Sequence, residues 1–250
     1  MKKFVILTTQ RTGSTLLVRS FDKHKKVLLS GEIFLNGDGI HHAENQFPFI
    51  NVKYFSKRIN RILNIPLMVF KYKSFVRNYY KKSEQQGYKA SGFKLMLSQM
   101  KYLPGFLGFL EKEQIYPIVL VRKDVVANVF SSVIAKTTGN YHLTNERSVG
   151  QQVKSLFIDP TIFETRLGSV EKTNVKLNEI STRFSNSLLL HYEDFSNWHH
   201  TIEKICDYLD VDYAEVDQAL IKINTNERYA DVITNYNQLK VILEKKGYSL

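Results

Sequence analysis

The sequence is short of cysteine and of long apolar runs, and each shortage excludes a class of protein. Cys206 is the only cysteine, so neither an internal disulfide nor a cysteine-based metal site can form. The opening MKKFVILTTQ has only a brief apolar stretch between two lysines and polar residues, too short for a signal-peptide core or a membrane span. We therefore expect a soluble, cytoplasmic protein with no membrane span, which leaves peripheral contact with a membrane open.

Acidic residues are also scarce, because 24 Asp and Glu stand against 35 Lys and Arg and give a formal charge of +11. Such an excess favours anionic partners, among them nucleotides, acidic glycans, nucleic acid and membrane surfaces. The basic runs at 24–26, 71–73, 79–82 and 244–247 are scattered along the chain, which is typical of solvated faces. The charge alone therefore selects no partner, and nothing in the sequence indicates an oligomeric state.

Short apolar runs alternate with helical patterns along most of the chain. The strand candidates are Lys3–Thr8, Val27–Ser30, Ala90–Leu95, Ile115–Val121 and Ser187–Tyr192. Helical periodicity begins at Ser14, follows Arg122, covers 198–209 and returns at Asn235–Lys246. This alternation predicts a P-loop-like α/β fold, in which helices cover both faces of a central parallel sheet of about five strands.

The length and the uninterrupted pattern predict one domain over residues 1–250. Residues 37–86 are rich in aromatics and lysine, contain Pro48 and Pro66, and have weak periodicity. We interpret them as a helical and aromatic insertion that covers the acceptor side of the site, rather than as a separate domain.

The sharpest local signal is QRTGSTLL, Gln10 to Leu17, between a buried strand and the start of a helix. A small-residue loop there directs backbone N–H groups, at the positive end of the helix, towards a phosphate or sulfate. The pattern departs from a nucleotide-hydrolase P-loop, since Thr8 stands in place of the first glycine and Ser14 in place of the lysine. The cation is instead Arg11, which lies before the glycine.

A second signal is Arg122, at the end of the strand IYPIVLV, followed by a helix whose apolar residues leave Asp124, Asn128, Ser131 and Ala135 on the opposite side. An arginine at the carboxyl end of a strand and a hydroxyl from the next helix can converge on a second phosphate. Each motif alone has an ordinary reading, as a helix cap or as a salt-bridged surface arginine. Both in one chain predict a nucleotide with two phosphate sites.

Together these motifs resemble the sulfotransferase family that uses 3′-phosphoadenosine 5′-phosphosulfate as donor. The resemblance implies that Arg11, Thr12, Gly13, Ser14, Thr15 and Leu16 bind the 5′-phosphosulfate, with Arg11 also catalytic, and that Arg122 and Ser131 bind the 3′-phosphate. The segments at 30–34, 91–96, 191–195 and 233–243 are similar to the bacterial branch that sulfates carbohydrates, as nodulation-factor and trehalose sulfotransferases do. That branch implies a carbohydrate or glycolipid acceptor, anionic or lipid-linked glycans included, and Glu32 as general base.

Three residue assignments stay open within this resemblance: the serine that binds the 3′-phosphate, the contacts from the C-terminal end, and the general base. Ser131 follows Arg122 by nine positions, one more than the family's usual interval, and Ser132 lies beside it. The glycine-rich RKGxxG segment of animal cytosolic members is missing, so Lys222 and Arg228 are candidates for its contacts by charge only. His41 and His42 are rivals to Glu32 as the base, although the right-handed strand–helix–strand rule brings Glu32 to the same sheet edge as Arg11.

No carboxylate cluster adjoins the loop, and His41, His42, His142, His199 and His200 show no ligand spacing, so we expect no metal. Two other functions stay open: a P-loop-type nucleotide kinase or phosphotransferase, which would bind ATP with magnesium, and a non-catalytic polyanion-binding protein. The second would bind DNA, RNA or heparin with a steep salt dependence and without a nucleotide. We expect a nucleotide donor and no nucleic-acid partner.

Overall fold

A computed structural model describes residues 1–34, 47, 58–138, 155–218 and 229–248, with the backbone alone for 58–64 and 138. Its centre is a five-stranded, wholly parallel sheet in the order β2-β3-β1-β4-β5. The strands are β1 Lys2–Thr8, β2 Val27–Glu32, β3 Ala90–Met96, β4 Tyr116–Val121 and β5 Leu188–His191. All five predicted strands are confirmed, to within two residues at each end.

Eight helices are described. They are α1 Ser14–Phe21, α2 Arg58–Gln85, α3 Phe106–Lys112, α4 Val125–Thr138, α5 Pro160–Arg183, α6 Trp198–Leu209, α7 Tyr229–Val232 and α8 Tyr236–Lys245, and two 3₁₀ helices lie at Met100–Tyr102 and Tyr192–Asn197. The helices α1, α4, α6 and α8 match predicted patterns. The sequence reading contained no helix at α3 or α5, although Asp159 caps α5 through its carboxylate and Pro160 occupies the first turn, both of which are start signals.

Two apolar layers enclose the sheet. On one face, α2, α3 and the second half of α5 pack through Tyr72, Phe106 and Leu177 against alternate strand residues such as Val5. On the other face, α1 and α6 pack through a second buried cluster. A third cluster joins α4, the first half of α5 and α8. The expected three-layer α/β/α arrangement is therefore present.

Helix α2 is the crossover from β2 to β3 and accounts for most of the described part of 37–86. Tyr72, Val76 and Tyr80 bury one side of it, and the Tyr80 hydroxyl donates to the Phe4 carbonyl at 2.7 Å. Apart from Phe47, residues 37–57 lie outside the described residues. Among the helices that are described, none is both long and apolar enough to cross a membrane.

The strand order positions the site. Because the chain leaves β1 towards β2 on one side of the sheet and leaves β4 towards β5 on the other, a crevice opens between the carboxyl ends of β1 and β4. The loop after β1 contains Arg11, and β4 is followed at once by Arg122. Both sequence motifs therefore meet at the edge of the sheet where ligands bind in this class of fold.

Candidate functional site

The loop between β1 and α1 is held in one conformation by hydrogen bonds and by two left-handed residues. The Thr8 hydroxyl lies 2.6 Å from the Thr12 hydroxyl and donates to the Leu120 carbonyl at 2.9 Å, which fixes the loop to β4. Arg11 has φ 63° and Gly13 has φ 78°. A non-glycine residue in this region costs free energy, and such strain is concentrated at functional sites.

Gly13 is also required by its surroundings. A Cβ atom at this position would lie 2.7 Å from Cδ2 of Tyr192 and 2.8 Å from Cε2 of Phe195. The glycine therefore satisfies both the left-handed φ and the close approach of two aromatic rings. No side chain caps α1 at Gly13, so the first-turn amides from Ser14 onward point out of the helix at its positive end.

The two arginines predicted from the sequence belong to one network. Arg11 donates from Nε to Oγ of Ser131 at 2.9 Å, and Arg122 donates from Nη1 to the Arg11 carbonyl at 3.3 Å. The Arg122 side chain is 7% exposed, and its guanidinium carbon lies 4.5 Å from the centre of the Tyr192 ring. Ser131 therefore faces the loop, where its hydroxyl accepts a hydrogen bond from the cation of the other motif.

Two residues of the polar side of α4, Asn128 and Ser131, are buried against the loop, whereas Asp124 is exposed. Asn128 is fully buried and donates to the Gln10 carbonyl at 3.1 Å, and Ala135 further along this side is buried too. From α5, Arg166 donates from Nη2 to Oε1 of Gln10 at 2.9 Å. Gln10 is thus held through its main chain by α4 and through its side chain by α5.

Buried polar atoms without a hydrogen-bond partner are concentrated in the corner where the β1–α1 loop meets Arg122 and α4. Among the described residues, six buried side-chain nitrogen or oxygen atoms have no hydrogen-bond partner. Five of them belong to residues that contact the loop, Arg122 or α4: Arg122 Nε, Asn128 Oδ1, Arg166 Nε, Asn174 Oδ1 and Tyr229 Oη. Because buried polar groups are normally paired, these atoms are donors and acceptors beside the loop that can still form a hydrogen bond.

Tyr229 lies in this corner, where its ring packs on α4 and its hydroxyl feels the charge of Arg122. The ring stacks on Phe130 of α4 with centroids 4.3 Å apart. Burial raises the pKa of Tyr229 to about 12, and the Arg122 guanidinium lowers it by a smaller amount. The hydroxyl therefore keeps its proton at neutral pH and is a potential hydrogen-bond donor beside Arg122.

A carboxylate approaches the loop from β2. Glu32 forms an ion pair from Oε1 to Lys94 Nζ at 2.9 Å, and Gln99 Nε2 donates to its Oε2 at 2.8 Å. Lys94 is buried and also donates to Oγ1 of Thr15 at 3.2 Å. Since each carboxylate oxygen has two acceptor directions, Glu32 can still accept a proton or a hydrogen bond.

Most of the predicted site residues come together. Arg11 to Leu16, Arg122 and Ser131 surround the β1–β4 crevice, and Glu32 is connected to them through Lys94 and Thr15. Ser132 is half-buried, and it is Ser131 that bonds Arg11. The candidates His41, His42, Lys222 and Arg228 lie outside the described residues.

Sequence reasoning missed several residues of this site, among them Lys94, Gln99, Asn128 and Arg166. Lys94 had a signal, because a lysine inside the apolar run ASGFKLM is a buried cation that needs a partner. Asn128 was noticed as polar without a role, and Arg166 lies in the helix that was not predicted. No described group of three or more His, Cys, Asp or Glu side chains has an arrangement that could hold a metal ion.

Comparison with known proteins adds little. No protein-family model matches the sequence, and no curated protein matches it. The crystal structure of a sulfotransferase from Alicyclobacillus acidocaldarius is similar at 12% sequence identity with a TM-score of 0.46, over 98% of this chain and 96% of that chain.

Proposed function

We propose that the protein is a sulfotransferase that moves a sulfuryl group from 3′-phosphoadenosine 5′-phosphosulfate to an acceptor hydroxyl. The observation that carries the proposal is a network of side-chain contacts around the β1–α1 loop. On one side, Ser131 and Arg122 form hydrogen bonds with Arg11. On the other side, Lys94 joins Thr15 of α1 to Glu32. Two proposed anion sites and a carboxylate would thus be linked to the same loop and the first turn of α1. A donor with two phosphate groups and an acceptor that must lose a proton need this combination.

The donor's 5′-phosphosulfate would lie on the loop and the first turn of α1. Gly13, Ser14, Thr15 and Leu16 would supply backbone amides, and Arg11 a cation. Thr12 would contribute its backbone only, because its buried hydroxyl already bonds Thr8 and the Thr9 carbonyl.

The 3′-phosphate would lie on the α4 side of the crevice, against Arg122 and Ser131. The unpartnered Nε of Arg122 supports this role, since a buried guanidinium gains most from an anion that accepts two of its bonds.

In the reaction, the acceptor oxygen bonds to sulfur while the bond from sulfur to the bridging phosphate oxygen breaks. The hydroxyl proton goes to Glu32, and the electron pair of the broken bond stays with 3′-phosphoadenosine 5′-phosphate. Arg11, Lys94 and the helix amides would stabilise the negative charge that grows on the leaving phosphate. The cycle as proposed needs no metal ion.

The acceptor would approach from the Glu32 side, and we propose a carbohydrate or glycolipid hydroxyl, anionic and lipid-linked glycans included. The whole chain would act as one domain, with residues 37–86 covering that side. The resemblance of 30–34, 91–96, 191–195 and 233–243 to carbohydrate sulfotransferases supports this choice, as does the charge of +11 for an acidic glycan. We place the protein in the cytoplasm, where the donor would be available to it.

The test is a thermal-shift comparison followed by an activity assay. At 100 times its dissociation constant, 3′-phosphoadenosine 5′-phosphate should stabilise the fold by about 2.7 kcal/mol, and AMP at the same concentration much less. Donor-dependent sulfation of a panel of glycans and small alcohols should then identify the acceptor. Stabilisation by ATP with magnesium instead would indicate a kinase, and salt-steep heparin or nucleic-acid binding without nucleotide would indicate a polyanion binder.

A further inference from the structure

A third arginine reaches the nucleotide-binding loop from α5. Arg166 follows Phe163 and precedes Leu167, two buried residues that fix this turn of α5 against α4. Its guanidinium is half-buried and donates to the side chain of Gln10, which is itself exposed. The charge therefore lies just below the surface of the crevice, covered by a neutral amide.

The partners of Arg166 do not balance its charge. No carboxylate of the described residues lies within ion-pair distance of it, and its Nε is buried without a hydrogen-bond partner. Burial lowers the pKa of the Arg166 guanidinium below its ordinary value, because the charged form loses solvation there. A guanidinium has five N–H donors, so one amide oxygen leaves most of them available.

The position of Gln10 shows which part of the crevice Arg166 faces. Its main-chain carbonyl accepts from Asn128, one helical turn before Ser131 on the same side of α4. The first-turn amides of α1 and the contact of Lys94 with Thr15 lie on the other side of Arg11, where the chain continues through α1 to β2. Arg166 therefore approaches the loop from the side of Ser131 and Arg122.

We propose that Arg166 is a third cationic residue of the donor site, which exchanges the Gln10 amide for an oxygen of the donor's 3′-phosphate. This assignment rests on the proposed function and adds a residue from a helix that neither sequence motif contains. When the phosphate is bound, Gln10 is released to solvent, and a phosphate oxygen accepts from the Arg166 Nη2 donor that Gln10 occupied. The exchange forms and breaks hydrogen bonds only.

Calorimetric titration of the full chain with 3′-phosphoadenosine 5′-phosphate and with AMP tests the proposal. Arg166→Ala should weaken the first ligand tenfold or more, which is about 1.4 kcal/mol, and AMP by less than about threefold. Arg166→Gln keeps a polar partner for Gln10 and should show the same selective loss if the alanine variant folds poorly. Arg183→Ala is the matched control, because Arg183 is an exposed arginine of the same helix paired with Glu111.

The variant Gln10→Ala shows whether Arg166 contacts the phosphate or only supports the loop through Gln10. If Arg166 contacts the phosphate, this variant should bind 3′-phosphoadenosine 5′-phosphate at least as well as the parent chain. Equal losses in Gln10→Ala and Arg166→Ala, or a loss shared by AMP, would overturn the inference. If the parent chain does not prefer the 3′-phosphorylated ligand, the proposed function fails and takes the inference with it. If that preference is present and Arg166→Ala retains it, the inference alone fails.

Discussion

The Arg11 guanidinium donates to the Ser131 hydroxyl at 2.9 Å, and this bond joins two motifs that lie far apart in the sequence. Arg122 bonds the Arg11 carbonyl from the other direction. The cation assigned to the phosphosulfate and the hydroxyl assigned to the 3′-phosphate are thus in contact before any ligand is considered. The two proposed phosphate sites would then be adjacent parts of one crevice, and variants of their residues are expected to couple.

Arg11→Ala should lower kcat more than Arg122→Ala does. In the proposed reaction Arg11 faces the charge that develops on the leaving phosphate, and loss of one such donor typically costs about 10²–10³ in rate. Arg122 would anchor the donor, so its variant should mainly weaken binding of 3′-phosphoadenosine 5′-phosphate. Steady-state kinetics and calorimetry on both variants measure the two effects. A lower kcat in Arg122→Ala with donor affinity intact would mean that these roles are reversed.

Gly13→Ala should destabilise the fold, and Gly168→Ala should stabilise it. The first change puts a Cβ against Tyr192 at a left-handed φ, which costs about 1–2 kcal/mol for the backbone alone. The second lies within α5, where the added Cβ would meet no atom within 4 Å apart from its chain neighbours and its own helix backbone, so it should gain about 0.5–1 kcal/mol. Urea unfolding of both variants gives the comparison. A neutral Gly13→Ala would mean that the loop rearranges at little cost.

The strands and the loop could be predicted because their signals are local. A buried parallel strand is a continuous apolar run, and the helix start after Gly13 needs only neighbouring residues. The partners of Glu32 could not be predicted, because they depend on register. Glu32 pairs with Lys94 across β2 and β3 after an irregularity between Ser30 and Glu32, and no pattern within either strand encodes that shift.

Helix α5 was not predicted for a different reason. Its buried residues are spaced as in a helix, but β-branched residues and Gly168 dilute the pattern, and tertiary packing on α4 and the sheet supplies the stability that propensity lacks. Without this helix the sequence gives no reason to bring Arg166 to Gln10. Sequence reasoning therefore named the crevice residues that lie in contiguous motifs, and it missed those that only packing brings to the crevice.

His24 predicts a loss of stability in mild acid. It is buried, and its Nδ1 accepts backbone N–H groups from Lys26 and Val27 at 3.2 and 3.1 Å. Burial lowers its pKa from 6.5, so below about pH 6.5 the unfolded chain binds a proton that the folded chain does not. The free energy of unfolding should fall as the pH drops through this window, by at most about 1.4 kcal/mol per pH unit.

Urea unfolding between pH 7.5 and 5 measures this slope in matched variants. His24→Asn supplies an amide oxygen in place of Nδ1 and does not titrate, so its slope should be shallower than that of the parent chain. His200 is exposed, and His200→Asn should keep the parental slope. Identical slopes in the parent and His24→Asn would assign the acid sensitivity to other groups.

The general-base role of Glu32 needs a test that separates basicity from hydrogen bonding. Both of its oxygens accept bonds, one from Lys94 and one from Gln99, whose own Oε1 accepts the Met96 amide at 3.0 Å. Glu32→Gln removes the base, but it also places an amide nitrogen against one of two donors. A low kcat in this variant alone would therefore have two explanations.

Exchanging the Glu32 and Gln99 side chains distinguishes loss of the base from loss of a hydrogen bond. In the double variant Glu32→Gln with Gln99→Glu, an amide nitrogen at position 32 donates to a carboxylate at position 99, Lys94 keeps an acceptor, and the net charge is unchanged. A positioned base typically contributes about 10²–10⁴-fold, so both the single and the double variant should lose at least a hundredfold in kcat while they bind 3′-phosphoadenosine 5′-phosphate normally. Glu113→Gln, at the exposed ion pair with Arg77, should retain parental turnover. Recovery of kcat in the double variant, at saturating substrates and with chemistry rate-limiting, would make Glu32 a positioning residue and direct the search for the base to His41 and His42.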